Sequence, residues 1–251
     1  MQNEYSWLYD VKSVMKIRMN GQLFLLKLAE MLTLKTDCKP IQYNTDGIFI
    51  LCKKKDKSII ENIVKEFEQF SLLTMEGEEF EAMYQFAIND YIAVKKGYSE
   101  TKNPKLIKKK GLFIDEISLG KGMAPMIIPK ALVNYFVNGI SPEESLKNNT
   151  DIRDYCTYQK VDKKFKVEYG GQLVTHINRF YMSTNGKPLI KYDLQNGIKV
   201  RPTLICADSP VTILNDFDDL STSGKNVNYN YYRKEIYKII NQMNTKQLSL
   251  F

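Results

Sequence analysis

The sequence predicts an α+β protein, with helices and antiparallel strands concentrated in different stretches of the chain. Three observations carry this expectation. Apolar residues recur at helical spacing over 11–34, 58–70, 126–138 and 229–243. Segments of alternating polarity fill 165–211. The dipeptides Gly170-Gly171, Asn185-Gly186 and Asn196-Gly197 punctuate those segments in the manner of tight hairpins.

In order along the chain, Val14, Ile17, Leu25, Leu28 and Leu32 predict one long, largely buried helix, with Gly21 as its single weak point. Asp37-Cys38-Lys39-Pro40 ends it. Short β-type runs at 41–43 and 48–52, separated by Asn44-Thr45-Asp46-Gly47, predict a hairpin with a polar tip. Ser58-Ile59-Ile60-Glu61 has the form of a capping box, in which the serine accepts from a free backbone N–H and the glutamate reaches back. It should open an amphipathic helix that runs to Phe70. Strand-like runs follow at 81–95 and 111–117. The helix over 126–138 should end at Gly139, and Ser141-Pro142-Glu143-Glu144 should start another with proline in its first turn. The 165–211 stretch reads as a small β-rich module, 229–243 as a last amphipathic helix, and 244–251 as a flexible tail.

With 251 residues, 43% of them hydrophobic and 26% charged, the chain has the composition of a soluble globular protein of one or two domains. Its cysteines, at 38, 52, 156 and 206, form no CxxC pair, and His176, the only histidine, has no cysteine nearby. That excludes zinc ribbons, zinc fingers and disulfide scaffolds and points to a reducing compartment. The longest apolar stretches, around 23–34 and 126–137, are each broken by lysine within ten residues, and the chain opens on no basic-then-apolar leader, so the expectation is a cytoplasmic protein without membrane association. A net charge of +7 biases the partner towards a polyanion, of which nucleic acid is the commonest.

An aspartate at the tip of an apolar hairpin is good turn chemistry, and on the tetrapeptide alone that reading is preferred. A buried helix feeding such a hairpin also makes a rigid platform, and a platform of this kind can hold a metal-binding carboxylate in place. At this point Tyr43-Asn44-Thr45-Asp46-Gly47 resembles motif C of the family B DNA polymerases, usually Tyr-x-Asp-Thr-Asp-Ser. Ser6-Trp7-Leu8-Tyr9, Asn20-Gly21-Gln22-Leu23 and Ala29-Glu30 are similar to the segment joining motifs B and C in bacteriophage members. Asn89-Asp90-Tyr91-Ile92 stands where that family has Lys-Lys-x-Tyr, and Lys110-Gly111 resembles the Lys-Gly pair that follows. Asn178-Arg179-Phe180-Tyr181 and Tyr231-Tyr232 look like pieces of the thumb, so the resemblance spans nearly the whole chain.

The resemblance implies a palm part at 1–125, a thumb with a small β module at 126–243 and a tail at 244–251. It makes Asp46 the catalytic carboxylate and Mg²⁺ ligand, with Tyr43, Asn44, Thr45 and Tyr91 shaping the primer end. The first aspartate of motif C is replaced by Asn44, and the Lys-Lys before Tyr91 is missing. Lys95 or Lys96 is then the only substitute at hand. The Asp-x-x-Ser-Leu-Tyr-Pro and Lys-x-x-x-Asn-Ser-x-Tyr-Gly segments are absent, as is any exonuclease segment. One aspartate cannot satisfy two near-octahedral Mg²⁺ ions. The expectation is a polymerase divided between two polypeptides, in which an N-terminal subunit supplies the remaining palm and the fingers. The rival reading is a non-catalytic subunit that binds DNA and tethers a clamp, with Asp46 as a turn residue.

Between 95 and 110 seven lysines, at 95, 96, 102, 105, 108, 109 and 110, are offset only by Glu100. A solvated loop is the bland reading. Between strands that should line a palm, Lys108, Lys109 and Lys110 are expected instead to contact the phosphates of primer-template DNA without reading sequence. The group Lys53-Lys54-Lys55 with Lys57 suits DNA contact or plain solubility. Arg179 and Tyr181 are expected to contact DNA from the thumb, while His176 has no nucleophile beside it and reads as a packed or surface residue. The tyrosines at 229, 231, 232 and 237 read as core. The chain ends on Gln247-Leu248-Ser249-Leu250-Phe251, which resembles the pentapeptide that docks on bacterial sliding clamps. There glutamine makes an oriented hydrogen bond, and leucine and phenylalanine fill an apolar pocket.

Overall fold

A computed structural model describes residues 3–44, 47–116, 124–206, 210–216 and 226–247, with the side chains of 245–247 excepted. The architecture is α+β, and every paired strand is antiparallel. Two compact units divide the chain, 1–79 and 80–251. Among the described residues no helix is long and apolar enough to cross a membrane.

In the first unit, helix α1 (Val11–Lys35) starts where the Asp10 carboxylate accepts from the Ser13 N–H. It ends where the Thr36 N–H and hydroxyl both donate to the Leu32 carbonyl, satisfying a terminal acceptor. Hairpin strands β1 (Lys39–Tyr43) and β2 (Ile48–Leu51) follow, then α2 (Lys57–Ser71). Leu28, Met31 and Leu32 of α1 meet Ile63 and Phe67 of α2, and Ile48 and Ile50 pack against this core, so β2 rests on the helix pair.

Two expectations fail here. Only the C-terminal half of α1 is buried: Val11, Met15, Ile17, Met19, Leu23 and Leu26 are exposed, because α2 covers one side of one half. The capping box at Ser58 does not form. A 3₁₀ turn at Lys54–Asp56 runs straight into α2, so the backbone is already helical at Lys57 and leaves no extended N-cap position at Ser58.

The second unit begins with a three-stranded sheet of β3 (Phe80–Ala87), β4 (Asp90–Lys95) and β5 (Ile107–Lys110), with β4 in the middle. The single-turn helix α3 (Tyr98–Thr101) lies between β4 and β5. Beyond it, α4 (Ile127–Val133) continues as a π-helical turn to Asn138 and stops at Gly139, whose φ of 69° is readily reached only by glycine. Helix α5 (Pro142–Asn148) is capped by the Ser141 hydroxyl, which accepts from the Glu144 N–H at 3.2 Å, as its sequence predicts.

Strands β6 (Thr157–Lys160), β9 (Ile177–Lys187) and β12 (Val211–Ile213) form one sheet with β9 central. Strands β7 (Lys166–Tyr169), β8 (Gln172–Val174), β10 (Leu189–Gln195) and β11 (Ile198–Leu204) form another, in the order β11-β10-β7-β8. Gly170-Gly171 and Asn196-Gly197 make the expected turns, all four residues having positive φ. Asn185-Gly186 does not turn, and β9 runs through it. The glycine is there for close packing, since a Cβ would stand 2.2 Å from the Val211 carbonyl oxygen.

Helix α6 (Tyr229–Gln247) buries Tyr232, Ile236, Ile240 and Met243, and the Tyr232 hydroxyl donates to the Tyr155 carbonyl at 2.7 Å while accepting from the Met182 N–H at 2.9 Å. The helix extends past the expected end at 243. Of the four tyrosines expected in the core, Tyr232 is fully buried and Tyr229 is exposed. A single core joins Ile92 and Phe113 to Ile127, Leu132, Tyr155, Phe180 and Tyr232, so side chains from both sides of the expected 125/126 boundary share it.

Candidate functional site

The hairpin pairs Lys39 with Leu51, Pro40 with Ile50, Gln42 with Phe49 and Tyr43 with Ile48, with a bulge between Pro40 and Gln42. Its turn closes where the Asn44 N–H donates to the Gly47 carbonyl at 2.8 Å. Gln42 is buried, and its Nε2 donates to Asn44 Oδ1 at 2.7 Å. That bond holds the Asn44 side chain against the strand below it, which makes Asn44 a turn-former. Tyr43 is exposed beside the tip. Thr45 and Asp46 lie outside the described residues. Among the described residues no group of three His, Cys, Asp or Glu side chains is placed to hold a metal ion.

The segments 89–92 and 110–111, far apart in sequence, are neighbours in the second unit. Tyr91 pairs with Lys110, Ile92 with Lys109 and Ala93 with Lys108. Asp90, which sequence reasoning left without a role, joins them: its Oδ1 accepts from the Leu112 N–H at 2.8 Å. Gly111, with φ of 60°, passes so close that a Cβ there would stand 2.2 Å from the same oxygen.

Tyr91, expected to shape the primer end, is only 2% exposed, because Tyr91–Val94 of the central strand are covered on both faces. Lys110 Nζ lies 5.9 Å from its ring centroid. The lysine run is no loop. Its last three members form the edge strand β5, where Lys108 is exposed and Lys109 and Lys110 are half-buried, Lys109 in an ion pair with Asp115. Lysines on an edge strand also prevent pairing with another chain, which is the structural alternative to phosphate contact. The two readings separate in a salt titration. With Lys108, Lys109 and Lys110 changed to glutamine, the slope of log affinity for primer-template against log salt should become shallower by roughly 0.9 for each phosphate that the variant no longer neutralises. An unchanged slope leaves β5 as a protected edge.

Arg179 is half-buried on β9, where its N–H donates to Asn215 Oδ1 at 2.8 Å. Tyr181, expected on a DNA-facing surface, is 2% exposed, since β9 is the central strand of its sheet and Phe180, Tyr181 and Met182 are all buried. His176 is half-buried with Nε2 at 2.8 Å from the Phe165 carbonyl oxygen. Gln247 is the last residue of α6, and Leu248, Ser249, Leu250 and Phe251 lie outside the described residues.

The hairpin belongs to the first unit, and Tyr91, the lysines and Arg179 to the second. The chain matches no protein-family model, no curated protein and no solved structure.

Proposed function

We propose that this chain is one subunit of a divided family B DNA-directed DNA polymerase of bacteriophage type, acting in the cytoplasm of a bacterial host. It would carry the later part of the palm, the thumb and a clamp-binding tail. The observation that carries the reading is the antiparallel hairpin of β1 and β2, seated on a long helix, whose strands are joined in sequence by Tyr43-Asn44-Thr45-Asp46-Gly47. The adjacency of 89–92 and 110–111, the two segments with polymerase-like sequence, supports it, as does the charge of +7.

In this reading the primer 3′-OH attacks the α-phosphate of a dNTP and pyrophosphate leaves. Mg²⁺, when bound, neutralises phosphate charge and activates the attacking oxygen. Asp46 contributes one carboxylate to that site, and the partner chain contributes the rest. Strand β2 packs on the α1–α2 core through Ile48 and Ile50, and the Gln42–Asn44 bond holds the Asn44 side chain at the end of β1.

A divided palm must bury a seam, and obligate interfaces cover about 2,000 Å² or more. Val11, Met15, Met19, Leu23 and Leu26 recur every three or four residues on the exposed side of α1, and Trp7, just before it, is 92% exposed. Such a stripe is suited to another helix. Primer extension tests the function. The purified chain with Mg²⁺ and dNTPs should add no nucleotides, and a polypeptide carrying the missing aspartate segment should restore synthesis when mixed with it. Robust extension that copurifies with this chain alone refutes the divided-enzyme reading, and no extension with any such partner refutes the polymerase reading.

A further inference from the structure

At the base of the hairpin, Lys39 pairs with Leu51 and Pro40 with Ile50. One residue further out, the same register sets Cys38 opposite Cys52. Directly opposed residues of an antiparallel pair have Cα atoms about 4.5–5.5 Å apart. That lies within the roughly 4.4–6.8 Å over which a disulfide closes without moving the backbone. Both cysteines are free, Cys38 buried and Cys52 exposed, and the Cys38 N–H donates to Thr36 Oγ1 at 3.1 Å, which fixes that end of the pair. The other two cysteines belong to the second unit. Cys156 is buried with its thiol on the Ile152 carbonyl at 3.4 Å, and Cys206 lies 3.3 Å from the Met182 sulfur.

We propose that Cys38 and Cys52 are a modifiable dithiol, which a low-molecular-weight disulfide closes into a bond across the base of the hairpin. The exposed Cys52 loses its proton to solvent and its thiolate attacks one sulfur of the small disulfide, forming a mixed disulfide and releasing one small thiolate. Cys38 then gives up its proton and attacks the Cys52 sulfur, forming the intrachain bond and releasing the second small thiolate. Two protein thiols are oxidised and one small disulfide is reduced to two thiols, so atoms and electrons balance.

The surroundings set the pace. The Cys52 thiol is raised above its ordinary value, first by burial, then by its neighbour Cys38 and by the negative charges of Asp56 and Glu79. A raised thiol slows attack on a small disulfide, so closure is slow. Closure ties the outer ends of β1 and β2 together covalently.

The purified full chain is incubated with oxidised glutathione, its intact mass is read, and peptides are mapped without reduction. Most of the protein should lose two hydrogens, remain a monomer on a non-reducing gel and yield a cross-linked 38–52 fragment. Cys38→Ser should stop at a glutathione adduct on Cys52, and Cys52→Ser should give neither adduct nor bridge. If either variant fails to fold, the wild-type mass map decides alone. A persistent adduct on wild-type Cys52, a bridge through Cys156 or Cys206, a dimer linked through Cys52, or no reaction would each overturn the proposal.

Discussion

Asp46→Asn should lower primer extension by the assembled polymerase by a factor on the order of 10² to 10³, while leaving primer-template affinity nearly unchanged. The substitution keeps the size of the side chain and its turn-forming character and removes only the charge. Charge on a metal-holding carboxylate acts mainly where negative charge develops on transferring phosphate, so the loss should fall on the rate of nucleotide addition. Single-turnover addition at saturating dNTP and Mg²⁺ measures it. Asn44→Ala is the companion variant. It removes the acceptor for Gln42 Nε2 and should loosen the turn, at a far smaller cost in rate. If Asp46→Asn keeps more than about a tenth of the rate, a loss under about 1.4 kcal/mol, the residue is a turn-former and the tethering role replaces the catalytic one.

Deleting 247–251 should abolish the long products made in the presence of a loaded bacterial-type sliding clamp and leave addition on short primer-templates intact. Burying Leu248, Leu250 and Phe251 yields roughly 1.5–3 kcal/mol each before ordering costs, and a five-residue peptide returns much of that as entropy, which leaves a micromolar affinity of about −8 kcal/mol at most. Weak binding suffices, because enzyme and clamp share one DNA and their effective concentration is about millimolar. Product lengths on a primed circular template, with and without clamp, give the readout. Equal clamp stimulation of both proteins removes the assignment. Helix α6 runs to Gln247, so the Asn244–Lys246 stretch expected as a flexible spacer is helical. Its reach is shorter than the sequence implies, and Gly-Ser insertions after Asn244 should change clamp-dependent synthesis.

The parts of the fold that were legible in the sequence are those set by local chemistry. Ser141 caps α5, Gly139 ends the helix before it, and Gly170-Gly171 and Asn196-Gly197 turn, because each depends on a backbone requirement that few residues meet. What escaped depends on distant neighbours. Asn185-Gly186 has the same letters as a turn, and only the approach of Val211 reveals that the glycine serves packing. Tyr91 and Tyr181 read as surface contacts because neither their sequence segment nor their period tells that β4 and β9 are central strands covered on both sides. The hairpin at the candidate site was legible through its polar tip and flanking apolar runs. Its support was not, since periodicity alone reports that α1 is apolar without saying which half finds a partner.

The small core beneath that hairpin has a further consequence, in the rates at which buried amides meet water. Among the described residues, Leu28, Met31, Leu32, Ile63 and Phe67 make up the buried cluster of the first unit, whereas Ile92, Ile127, Leu132, Phe180, Tyr232 and their neighbours form a far larger one in the second. Opening free energy follows buried contact, so amides of α1 and α2 should exchange with deuterium well before those of β4, β9 and α6. The turn bearing Asp46 thus sits on the part of the molecule that breathes first. A polypeptide laid along the bare side of α1 would slow that breathing, and the protection it confers would spread to the hairpin without touching it.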